Sequence, residues 1–122
     1  MAYILDSASD AALNVIQDNV TTLTVCSAEP TTFAEANATY KLGSKASPAI
    51  GEPEAGDVTG RKIAISAITD GVISAVGTAT HWALIDADTL YAVASVSVAQ
   101  NLVSTANIFT LTAFDIEYPD PA

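Results

Sequence analysis

Apolar positions along this chain recur mostly with a period of two. Leu23 and Val25 alternate with Thr22, Thr24 and Cys26 over residues 21–27, and Ala28-Glu29-Pro30 ends that run, since Pro donates no ladder hydrogen bond. Lys62 to Ile68 is rich in β-branched residues, Thr69-Asp70-Gly71 follows, and Val72 to Val76 runs on. Asp-Gly is a strong short-range hairpin signal because Gly accepts positive φ without a Cβ clash. A third run, Thr78 to Ile85, lies beyond a bend or bulge at Gly77. Together residues 61–86 predict an antiparallel meander with one buried face. After a turn at Asp86-Ala87-Asp88-Thr89, Leu90, Ala92, Ala94, Val96 and Val98 alternate strictly against Tyr91, Ser95 and Ser97, until Gln100-Asn101 breaks the pattern. The last strand spans 107–116. Its apolar phase shifts from Phe109 and Leu111 to Phe114 and Ile116, which predicts a bulge near Ala113, and Tyr118-Pro119-Asp120-Pro121 ends as an extended tail.

Helical spacing occurs near the N-terminus. Ala12, Leu13, Ile16 and Val20 recur opposite Asp10, Asn14 and Asp18, with Ser7 and Ser9 as cap candidates, predicting one amphipathic helix over about residues 8–18. Asp10 suits the positive end of its dipole. Residues 31–36 predict one helical turn, capped by Thr31 or Thr32 with Glu35 closing a capping box. Tyr40 to Gly43 reads as a short extended piece. Residues 45–60, KASPAIGEPEAGDVTG, carry no periodicity and read as a long loop, either functional or partner-ordered or a plain surface excursion. Short strands without βαβ alternation predict a mainly β fold: an antiparallel, jelly-roll-like β-sandwich over about 21–117 with one N-terminal helix, in a single domain of residues 1–122.

Composition narrows the function classes. Half of the 122 residues are hydrophobic and 15% are charged, but no apolar run approaches the ~20 residues a membrane helix needs. No basic and apolar leader opens the chain, so a cytosolic origin is expected. The apolar excess favours burial against a partner or a second copy. With a net charge of −10, binding to nucleic acid or to an anionic membrane is not expected. All four bases, Lys41, Lys45, Arg61 and Lys62, fall in one segment, while Asp6, Asp10, Asp18, Asp115, Glu117 and Asp120 lie toward the ends. This reads as a mildly basic zone that docks on a partner, or as a solvated surface with scattered charges.

Candidate chemistry is thin. The lone Cys26 excludes an intrachain disulfide and reads as a buried structural thiol. His81 beside Trp82 lacks an identifiable nucleophile or carboxylate partner, so a hydrogen-bonded structural His and a core or interface Trp are expected. Asp86 with Asp88, and Asp115 with Glu117, are oxygen-ligand types for calcium, yet neither completes an established loop. Asn37-Ala38-Thr39 is a formal glycosylation sequon with no secretory context. No nucleotide-binding, zinc-protease or serine-hydrolase motif is present. The expectation is a protein that is not an enzyme and holds no metal or cofactor.

Four stretches together carry a resemblance: residues 23–36, Tyr40-Lys41-Leu42-Gly43, Gly60-Arg61-Lys62 through Asp70-Gly71 to Ala79-Thr80-His81-Trp82-Ala83-Leu84, and Phe109 to Ile116. The chain resembles a group of small virion proteins of tailed bacteriophages and prophages, over about residues 20–117, with Ala-Thr-His-Trp-Ala-Leu the most specific part. The resemblance implies a structural part of the particle, made in the host bacterial cytoplasm, with the major capsid protein or another virion protein as partner. Within that class the expectation is a capsid decoration (cement) protein on the outer shell, present as a homo-oligomer. Lys41, Lys45, Arg61 and Lys62, with the 45–60 loop, are the expected contact face. The alternatives are a tail, collar or fibre-attachment component, and a receptor- or carbohydrate-binding module in which Trp82 or Tyr91 stacks on a sugar.

Overall fold

The structure, a computed structural model, describes residues 4–119, with Ser97 described by its backbone alone. The chain is mainly β. An N-terminal helix α1 (Asp6–Asn19) precedes nine strands: β1 (Thr22–Cys26), β2 (Lys41–Ala46), β3 (Glu54–Ala55), β4 (Arg61–Ile65), β5 (Ile68–Ile73), β6 (Gly77–Ile85), β7 (Leu90–Leu102), β8 (Ile108–Leu111) and β9 (Phe114–Tyr118). A short π-helical turn, Glu35–Thr39, lies between β1 and β2. All strand pairings are antiparallel, in a six-stranded sheet ordered β7-β6-β1-β2-β5-β8 and a three-stranded sheet ordered β3-β4-β9. This is the mainly β, sandwich-like class with an N-terminal helix that the pattern predicts.

The described residues form two units. One gathers 20–48 and 68–111 and holds the six-stranded sheet. Its centre is β1 against β6, where Leu23, Thr24 and Val25 pair with Leu84, Ala83 and Trp82, all buried. Successive strand residues face opposite ways, so both faces of the sheet are covered here. On one face Ala83 and Ile85 pack with Ala36 of the π-helical turn and with Phe33, Leu90 and Val93. The helical turn follows its sequence signal. Thr32 Oγ1 accepts the Glu35 N–H at 3.2 Å, and the Glu35 carboxylate accepts both the N–H and the hydroxyl of Thr31 at 2.8 Å. Its continuation to Tyr40 N–H···O Glu35, at 2.9 Å, had no signal in the sequence. At the sheet's edges the Gln100 side-chain amide of β7 donates to the Thr110 carbonyl of β8.

The other unit gathers 4–19, 49–67 and 112–119. Ser9 and Leu13 of α1 are buried, as are Ile63 and Ile65 of β4. The helix is longer than predicted by two residues at its start and one at its end; Ala12 is exposed and Val20 lies beyond the helix. The Ser9 hydroxyl is buried without a hydrogen-bond partner.

Three local expectations are corrected. Asp70-Gly71 is not a hairpin turn: it lies inside β5, with an irregular register against β8 between Ile68 and Gly71. Glycine is needed there because the Phe109 ring fills the space a Cβ would take. Consequently β4 and β5 do not pair as a meander but belong to different sheets, the chain changing over at Ser66-Ala67. The phase shift near Ala113 is likewise a change of sheet, from β8 to β9, and not a bulge in one strand. Gln100-Asn101 does not break the alternating strand: β7 runs on through both to Leu102, and they pair with Ala79 and Thr78 of β6. Pairing jumps from His81↔Ser95 to Ala79↔Gln100, so β7 carries extra residues and Val98 is 74% exposed. The facing of Ser97 lies outside the described residues, as do Asp120 and Pro121 of the tail.

Candidate functional site

The segment 45–60 is built, not slack. Lys45 and Ala46 complete β2, Ile50 bridges to Ile65, and Glu54 and Ala55 pair with Lys62 and Arg61. Gly51 N–H donates to the Ala64 carbonyl at 2.8 Å. The final turn closes through Gly56 N–H···O Gly60 at 2.9 Å.

The four cations predicted as a contact face divide between the units: Lys41 and Lys45 on β2, Arg61 and Lys62 side by side on β4. Three of them are occupied by carboxylates of their own unit. Lys45 Nζ reaches Asp70 at 3.1 Å. Arg61 grips Asp10 of α1 with two donors, Nε at 2.7 Å and Nη2 at 3.4 Å, and Nη2 also donates to the Pro53 carbonyl at 3.3 Å. Lys62 Nζ, whose side chain is 15% exposed, sits 2.6 Å from Asp57, 3.1 Å from Asp115 and 4.0 Å from Glu54. The ammonium is held above its usual range by those bonds, that to Asp57 first, and Asp57 is held below the usual carboxylate range by the same pair. Lys41 makes no ion pair among the described residues. Three of the four cations of the basic zone are therefore already paired within the chain.

The most specific sequence stretch, Ala79 to Leu84, is the middle of β6. Trp82 is 7% exposed, so it is withdrawn from the stacking role of a sugar-binding reading. The half-buried His81 ring shares a hydrogen bond with the Thr80 hydroxyl at 2.9 Å through Nδ1. Cys26 is fully buried, its thiol near the Ala36 carbonyl, and burial pushes its pKa up, which keeps it a poor nucleophile.

The acids considered for calcium serve the backbone and its neighbours. Asp86 Oδ1 accepts the N–H groups of Asp88 and Thr89, both at 2.8 Å, and Oδ2 accepts the Tyr91 hydroxyl at 2.8 Å. These bonds, the Asp88 N–H first, hold Asp86 below the usual carboxylate range, and the Asp86 contact raises Tyr91. Asp115 pairs with Lys62, and Glu117 accepts the Asp57 N–H at 2.8 Å. Among the described residues no group of three or more His, Cys, Asp or Glu is placed to hold a metal ion, and no helix is long and apolar enough to cross a membrane. Sequence reasoning missed Asp10, Asp57 and Glu117 as the fixing points of the 45–60 segment. Only its acid content hinted at them.

The chain matches no family model, no curated protein and no solved structure in comparisons with known proteins.

Proposed function

We propose that this chain is a structural protein of a tailed-phage particle: a capsid decoration protein on the outer shell, made in the host cytoplasm and acting as a homo-oligomer. The observation that carries this reading is the burial of its most specific sequence stretch. Ala79, Trp82, Ala83 and Leu84 are all core, so what that stretch specifies is a packed β-strand and not a reacting group. The sequence resemblance supplies the virion setting. The oligomer is supported by Val72 and Ile108, directly opposite one another on β5 and β8 yet 62% and 58% exposed. The contact element is the 45–60 segment. Arg61 and Lys62 act by holding that segment in shape, Lys45 by its bond to Asp70, and Lys41 is the cation left to meet a partner.

Particles produced without the chain are the test. They are expected to assemble with tails attached and to release their genome at a lower temperature than complete particles. Loss of tails or fibres would move the protein to the neck or tail, and unchanged thermal release would contradict the cement reading.

A further inference from the structure

Within the 45–60 segment one apolar side chain is presented to solvent on a rigid mount. Val58 is 92% exposed, the most exposed large hydrophobic residue among those described. Flexible loops do not present lone apolar groups in a fixed place, but this turn is fixed from several sides. Gly56 N–H donates to the Gly60 carbonyl at 2.9 Å. Asp57 N–H donates to Glu117 of β9, and the Asp57 carboxylate accepts from Lys62 of β4 at 2.6 Å. Gly60 has a φ of +71°, a left-handed conformation that favours glycine, and a Cβ there would run into the Tyr118 carbonyl and the Pro119 backbone. The two Asp57 bonds tie the turn to β9 and β4 of the three-stranded sheet.

Charge defines what fits there. Asp57, Glu54 and Asp115 are gathered around a single ammonium, Lys62, Glu117 is bonded to the Asp57 N–H, and Arg61 is already matched by Asp10. The apolar tip therefore rises from an anionic surround. We propose that Val58 is an anchor that inserts into an apolar pocket rimmed by Lys and Arg on the surface of the protein shell to which this chain attaches. This rests on the decoration reading and names the docking residue within it. Pre-organisation favours the assignment: a turn already locked loses little conformational entropy on binding. An apolar anchor within a charged rim gives affinity at the centre and orientation at the edge.

Co-sedimentation with purified shells assembled without this chain tests it. Val58→Ser and Val58→Asp sit on an exposed position, so both variants are expected to keep the wild-type thermal unfolding curve. Val58→Ser is expected to weaken shell binding about tenfold and Val58→Asp about a hundredfold. Raising the salt concentration is expected to slow association of the wild-type chain, as a basic rim requires. Wild-type binding by both variants would overturn the anchor while leaving the decoration reading standing. Binding by the wild-type chain that salt leaves unchanged would overturn the basic rim. A wild-type chain that fails to bind the shells at all would remove the decoration reading and the anchor with it.

Discussion

At the scale of single residues, the contact between Gly71 and Phe109 decides more than its size suggests. The Phe109 ring is 1% exposed and lies over both Gly71 and Gly43. Glycine is thus a recess for an aromatic on the neighbouring strand, as in sheets where a ring covers a bare stretch of backbone. Gly71→Ala is expected to destabilise the fold by about 1–3 kcal/mol through overpacking. Combining it with Phe109→Leu should recover part of that loss in a double-mutant cycle followed by urea unfolding. Strict additivity would mean the ring is not the obstacle. Asp86 sets a pH dependence. Its folded pKa is lowered, so its contribution is present above the ordinary value of about 4 and is lost as pH falls through the lowered folded value. Asp86→Asn is therefore expected to be less stable than wild type at neutral pH, with the gap closing on acidification. A gap that stays constant with pH would show that the charge of Asp86 does not contribute.

At the scale of elements, the sequence was most legible where local chemistry is self-contained. The helix over Asp6–Asn19, the strand at Thr22–Cys26, the β6–β7 hairpin through Asp86 to Thr89, and the Thr-Glu cap each follow from spacing or side-chain bonding within a few residues. Thr32→Ala removes the acceptor for the Glu35 N–H and is expected to cost about 1 kcal/mol, with Thr32→Ser close to wild type, read by thermal unfolding. What was not legible depends on partners far along the chain. Asp-Gly at 70–71 carries the local signature of a turn, but a ring 38 positions later makes it strand. Runs rich in β-branched residues at Lys62–Val76 and Asn107–Ile116 hide the points where the chain changes sheet, because both sheets ask for the same residue types. Linear sequence gathers Lys41, Lys45, Arg61 and Lys62, whereas folding sets Asp70, Asp10, Asp57 and Asp115 against three of them, and those pairings, Lys62 with Asp57 apart, span long stretches of chain.

At the scale of the whole molecule, a net charge of −10 is carried on a chain half of whose residues are hydrophobic. Its bases are largely spent on internal pairs, its thiol and Trp are interior, and its exposed apolar groups include strand residues (Val72, Val98, Ile108) and a locked turn (Val58). The measurement that tests this account most directly is the copy number of the chain per major capsid subunit in purified particles, by quantitative mass spectrometry. A shell decoration is expected at a ratio near one or a simple fraction of it. A ratio of a few per hundred, or absence from the particle, would contradict the account.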